Sequence, residues 1–318
     1  MTAEEKAIIL KKDDEVTYRE KIKSYYEKME HLNIYYEALT TKEFYREIFP
    51  EGTFSRTNHP EDKKPNGIIQ VEKIDGKQRS IIVHDELSEI EKVENAEFAI
   101  MNGVSYFGNR GIMENSSFMY AMIFDLDDMT LQNLKELIYQ MSIGLIPQCS
   151  LLTLSGGGAH IYYIFEEPIA LYKPIQKVLN DLKKALTTVI WNSYTSSNPK
   201  IQRQSIFQKF KVVGGLTKFQ NGIKVVGYQI GGKTTITELL GYLISQDDVV
   251  DVSIMEPLLQ REEKTAKPLK LFVTPNKVKL KYSVKEEKIK RARVNEDVST
   301  KQYKTKLTIA EAKILYPE

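Results

Sequence analysis

The sequence predicts an α+β fold, and three observations carry that expectation. Short apolar runs of strand length fall at residues 120–124, 150–154 and 160–165, the last two separated only by glycines. Segments with helical spacing lie at 130–140, through Leu131, Leu134, Leu137 and Ile138, and at 174–194. Their order mixes adjacent strands with single helices, which favours α+β over a doubly wound parallel sheet.

Each element has its own warrant. Residues 15–49 are rich in Glu, Lys and Tyr and predict helices. Tyr18, Ile22, Tyr25, Tyr26 and Met29 recur at helical spacing, as a core-facing stripe does. Pro50-Glu51-Gly52 breaks that run, and 56–66 is a polar Pro/Gly loop. Residues 67–71 and 80–83 flank Asp75-Gly76 and predict a hairpin. Strands are expected again at 210–213 and 223–228, and Thr235-Ile236-Thr237-Glu238 is a capping box opening a further helix. Beyond 262 come Pro268, Pro275 and dense lysine, and no core is expected there. Residues 307–318 have amphipathic helical spacing. The expected organisation is a helical N-terminal segment (1–65), an α+β domain (66–260) and a basic C-terminal extension (261–318).

Composition excludes several classes. A lone Cys149 forms no disulfide framework, and with four histidines the chain has no Cys-rich structural zinc site. The first residues lack a basic region followed by an apolar stretch, and no run approaches a membrane span, so a cytosolic protein without a membrane partner is expected. Of 45 Lys and Arg and 43 Asp and Glu, 16 and 8 fall in 261–318, leaving 29 and 35 in 1–260. A mildly acidic body with a basic end suits contact with a polyanion, and a solvated tail has the same signature.

The sharpest chemical feature is Phe124-Asp125-Leu126-Asp127-Asp128. Strand alternation puts Asp125 and Asp127 on one face, where two close carboxylates repel unless a hard cation such as Mg²⁺ or Mn²⁺ lies between them. A solvent-exposed acidic turn is the plain alternative, against which stands the apolarity of the preceding strand. Haloacid-dehalogenase-like phosphatases carry Asp-x-Asp-x-Thr after such a strand, with a nucleophilic first Asp. Here the fifth position is Met129 and the threonine, Thr130, comes one residue late.

A second feature is Ser155-Gly156-Gly157-Gly158-Ala159-His160, between two strands. Consecutive glycines let backbone N–H groups turn to an anion, to which Ser and His add donors; a simple turn and a packed histidine are the alternative. A third is 210–218, where Lys211 and Lys218 bracket Gly214-Gly215 and suit phosphate contacts or a solvated basic strand. Gly227-Tyr228-Gln229-Ile230-Gly231-Gly232-Lys233-Thr234 matches the P-loop pattern, but the residues after it are too few and too basic to build a parallel sheet. A strand, a glycine turn and a capped helix are expected there instead.

Taken in order, Asp-hydrophobic-Asp, Ser-Gly-rich-His and a basic strand leading to Gly and Lys resemble the archaeo-eukaryotic primase superfamily. More narrowly, the chain resembles the primase-polymerase-type replication proteins of Gram-positive plasmids and integrative elements. Ile82-Val83-His84-Asp85, residues 105–110, 120–127, 155–165 and 208–214 carry the likeness, which spans about 66–243. The resemblance implies a primase-polymerase (RRM-like) core of mixed or antiparallel strands with flanking helices. It would make primers from NTPs or dNTPs on single-stranded DNA in mobile-element replication, with a replicative helicase as an expected partner. It implies Mg²⁺ or Mn²⁺ as cofactor on Asp125 and Asp127, two ions assisting attack by a 3′-hydroxyl. Ser155, Gly156, Gly157, Gly158 and His160 would bind the incoming triphosphate, and His160 would belong to the catalytic set. Lys211 and Lys218 would neutralise phosphates, and Arg110 would support the acids or the phosphates. The family supplies a third carboxylate before the basic strand. This chain has no Asp or Glu between Asp181 and Lys218, and Asn198 or Gln202 lies about there. Asn198 is then the candidate third metal position, with Asp128 or Glu166 as acids that could replace it. Loss of that acid also suits a rival from another class, a non-catalytic replication initiator or single-stranded DNA-binding module.

Overall fold

A computed structural model describes residues 3–57, 63–72, 77–219 and 222–244, with side chains from residue 17 to 243. The expectations for 245–318 and the Asp75-Gly76 turn lie outside the described residues. No helix among the described residues is long and apolar enough to cross a membrane.

The chain opens with helix α1 (Ala3–Tyr35) and helix α2 (Thr41–Ile48), as the 15–49 pattern predicts, and between them a two-residue strand β1 (Ala38–Leu39) that it does not. α2 starts at a capping box, in which Thr40 and Glu43 satisfy each other's backbone N–H. The expected hairpin is β2 (Gly67–Glu72) paired with β3 (Gln78–Val83). Short α3 (Ser88–Glu91) and the brief strands β4 (Ala99–Met101) and β5 (Val104–Tyr106) follow, none of which the apolar pattern announced. Then come β6 (Ser116–Leu126), α4 (Leu131–Ser142), β7 (Leu151–Leu154), β8 (Ala159–Ala170) and α5 (Lys173–Ile190). β9 (Phe210–Lys211), β10 (Val226–Gln229) and α6 (Ile236–Ile244) complete the described chain.

Two boundaries differ from expectation for local reasons. The helix expected to reach 194 ends at Ile190. There Asn192 Oδ1 accepts from the N–H groups of Tyr194 and Thr195, and Thr195 Oγ1 donates to Ile190 O. Such local side-chain bonds give the backbone an alternative to another helical turn. The 210–213 strand stops after Lys211, because the chain turns at Gly214, whose φ of +83° favours glycine.

The strands form two sheets. The larger has six, in the order β1-β10-β7-β8-β6-β5, and the smaller has four, β3-β2-β4-β9, with antiparallel pairing throughout both ladders. Alternation sorts the large sheet into two apolar faces. Phe124, Leu126, Leu152, Leu154, Ile161 and Tyr163 pack with α1, α4, α5 and α6. Ile123, Leu151, Tyr162 and Ile164 face the smaller sheet and α2, against Ile69, Phe210, Val212 and Phe44. Helices therefore cover one face and a second sheet the other, an α+β arrangement. α1 is built into it: Tyr25 and Leu32 lie in the helix-side core, and Tyr25 Oη donates to Lys224 O at 2.5 Å.

Candidate active site

The acidic pair stands at the end of β6. Antiparallel partners share a face, so register brings Asp125 opposite His160, His160 opposite Thr153, and Thr153 opposite Gly227. This row faces the smaller sheet, where the Phe210 ring lies 4.9 Å from that of His160. His160 Nε2 is 3.5 Å from Asp125 Oδ1. Burial, with help from Lys218, drops the imidazole pKa to about 3, so the ring is neutral at pH 7. Burial first, then the neighbouring Asp127, push the Asp125 carboxyl up to about 7, opposed by Lys218 and Lys183. At neutral pH the contact is thus a neutral ring beside a carboxyl group whose charge burial disfavours, and not an ion pair. His160 Nδ1 is buried without a hydrogen-bond partner among the described residues.

The turn after β6 is anchored residue by residue. Ser196 Oγ donates to Asp127 O at 2.6 Å, Ser197 N to Asp128 O at 3.1 Å, and Lys28 Nζ to Met129 O at 2.6 Å. Met129 N donates to Gly157 O at 3.0 Å, tying this turn to the glycine loop. Thr130 then caps α4 reciprocally with Asn133. Two buried lysines brace the surroundings. Burial lowers Lys28 to about 8 and Lys183 to about 7. Lys183 Nζ donates to Ser205 O at 2.8 Å and lies 5.5 Å from both the Phe124 and Phe210 ring centres.

Of the acids expected to stand in for a third carboxylate, neither is brought in. Asp128 is exposed in a left-handed turn, and Glu166 is six residues from His160 along β8, about 20 Å. Glu166 instead lines a cavity of about 400 Å³ with Phe118, Tyr120 and Lys233. Asn198 Oδ1 accepts from Lys200 N at 3.0 Å in a local turn. The side chain at the acidic pair is Gln202, whose Nε2 donates to Asp127 Oδ2. Gln204, which no sequence motif singles out, exchanges two hydrogen bonds with the backbone of Asp125.

The glycine loop closes tightly beside these groups. Ser155 N and Oγ donate to Gly158 O at 3.2 and 3.4 Å, and Gly156 adopts φ +119°. Gly158 lies against the Leu126 carbonyl, whereas Gly157 is exposed with open space where a Cβ would be. The N–H groups of Gly156, Gly157 and Gly158 have no acceptor among the described residues. Lys218 is exposed, yet close enough to act on both Asp125 and His160. Lys211 is turned elsewhere, donating to Glu97 O at 2.6 Å and Leu216 O at 2.9 Å. Arg110 is exposed on the loop between β5 and β6 and forms no ion pair among the described residues. In the P-loop-like stretch, Gly227 makes room for the Phe44 ring and Gly231 N donates to Ser150 O, so these glycines serve packing.

No group of three His, Cys, Asp or Glu able to hold a metal occurs among the described residues. Two carboxylates on one face, with Asp127 raising the cost of charge on Asp125, still fit one Mg²⁺ or Mn²⁺ whose remaining ligands would be water and phosphate oxygens.

No family model matches the chain, and no curated protein matches it. Among solved structures it is similar to the AEP domain of the primase-polymerase (PrimPol) of cyanophage S-2L. Identity is 11%, the TM-score is 0.45, and the match covers 64% of this chain and 96% of that one. A likeness this distant assigns no role to any side chain.

Proposed function

We propose that the chain is a divalent-metal-dependent nucleotidyltransferase of primase-polymerase type, making primers from nucleoside triphosphates on single-stranded DNA. One observation carries this reading: two carboxylates, a buried neutral histidine and a glycine loop whose N–H groups have no acceptor among the described residues meet at the end of β6 beside the start of β8. Asp125 and Asp127 would hold the cation, which when bound lowers the pKa of an attacking hydroxyl and neutralises phosphate charge. The N–H groups of 156–158, without an acceptor among the described residues, are available as an anion cradle. His160, neutral, offers one N–H to a phosphate oxygen without gaining a charge that would compete with the cation. Lys218 adds positive charge at the rim. Replication of a mobile element is the setting that the sequence resemblance supports.

The test is incorporation of labelled nucleotides on an unprimed single-stranded DNA template with Mg²⁺ or Mn²⁺, beside Asp125→Ala/Asp127→Ala. Short products from the wild type alone are expected, with loss of at least about 10³-fold in the variant. A second reading, a replication initiator or single-stranded DNA-binding module without catalysis, is favoured by the amide of Gln202 beside Asp127 where a carboxylate would strengthen cation binding. DNA binding by both proteins with products from neither would establish that reading.

A further inference from the structure

The stretch 198–209 leaves α5 and passes the end of β6 before entering β9, and its register is regular. Gln204 stands opposite Asp125 and Gln202 opposite Asp127, so Gln202-Arg203-Gln204 runs antiparallel to Asp125-Leu126-Asp127. Side chains make this pairing where backbone would make an ordinary ladder. Asp125 N donates to Gln204 Oε1 at 2.9 Å, and Gln204 Nε2 donates to Asp125 O at 2.7 Å. The need for it comes from the sheet. β5 pairs with β6 only between Ser116 and Met119, so the edge of β6 opposite β8 is open at Asp125. Gln204 is buried and satisfies both backbone groups there, as a neighbouring strand would. Two residues earlier, Gln202 reaches the Asp127 carboxylate itself.

The stretch is held from below. Lys183 donates to Ser205 O, Asn180 Oδ1 accepts from Ile206 N at 3.1 Å, and Asn102 Nδ2 donates to Phe207 O at 3.1 Å. The bonds that hold 205–207 come from α5 and the β4–β5 turn, and Gln202 and Gln204 bond to the acidic pair.

We propose that Gln202-Arg203-Gln204 is a strap that sets the spacing and direction of the two carboxylates for a divalent cation, with Gln204 as its positioning residue. This rests on the metal-dependent reading above and assigns the strap a role in it. Partners of metal-binding side chains commonly alter affinity 10- to 100-fold when removed.

The test is Mn²⁺ binding by the full chain, read as free Mn²⁺ by electron paramagnetic resonance, with thermal unfolding of each metal-free variant alongside. Gln204→Met keeps the volume and removes both hydrogen bonds; it should bind Mn²⁺ about tenfold more weakly. Ile201→Ala, an exposed and uncharged change just outside the strap, should stay within about twofold of wild type. Equal Mn²⁺ affinity in wild type and a folded Gln204→Met overturns the strap's role and leaves the metal reading standing. If wild type binds no Mn²⁺, both fall. If Gln204→Met does not fold, Asn180→Leu decides by the same criterion, since it loosens the strap at Ile206 N without changing any charge near the carboxylates.

Discussion

Gly158 lies directly beneath the carbonyl oxygen of Leu126, so close that any Cβ there would overlap it, and Asp127 Cα stands 3.1 Å from the same point. The glycine loop and the acidic turn are therefore in backbone contact, and only glycine permits it. Gly158→Ala should lower stability by about 3 kcal/mol, since neither partner is a side chain that can move away. Gly157→Ala, one residue earlier and facing open space, should change it by no more than about 0.5 kcal/mol. Urea unfolding of the two variants checks the contrast.

Lys28 gives the chain a particular dependence on pH. Its folded-state pKa is about 8 against an ordinary 10.5, so between those values the unfolded chain binds more protons. Stability therefore rises with pH across that window, by at most about 1.4 kcal/mol per unit from this group. Below pH 8 the cost of burying the ammonium is fully present. Lys28→Met should remove this part of the slope, so that the difference between the two stability curves varies from pH 8 to 10.5 and levels off on either side. Denaturant midpoints at a series of pH values measure it.

Gln202 offers a gain-of-function test. Gln202→Glu puts a third carboxylate beside Asp127, and Mn²⁺ affinity should rise about tenfold. Metal-free variant protein should melt about 2 °C lower from the added like-charge repulsion. A variant that binds Mn²⁺ no better than wild type would mean that position 202 does not face the cation.

Much of this was readable in advance where the cause is local. The Thr235–Glu238 box opens α6, and Thr235 N donates to Glu238 Oε2 at 3.1 Å while Glu238 N donates to Thr235 Oγ1 at 3.1 Å. The pairing of Asp125 with His160 was within reach because an apolar strand ending in carboxylates and another opening with histidine are local patterns. The division into two sheets was not, since β4, β5 and β9 have only three, three and two residues and too little periodicity to register. Gln204 carried no signal, because a glutamine's reach to a distant backbone depends on tertiary placement alone. Lys28 and Lys183 did carry one. Lys28 falls three residues after Tyr25 and four before Leu32, and Lys183 four after Leu179 and three before Leu186. A lysine on an apolar helical stripe is a candidate for a buried donor.

The bond from Tyr25 Oη to Lys224 O joins residues 199 apart in sequence. On a ribosome adding about 5–20 residues per second, Tyr25 emerges roughly 10–40 s before Lys224. Until α4 and β7 are made, the apolar stripe of α1 lacks the elements it packs against, and Tyr25 Oη lacks its acceptor longer still. The nascent chain thus presents a tyrosine-rich helix to whatever chaperone waits at the exit tunnel, and final closure of the domain is a late event in synthesis.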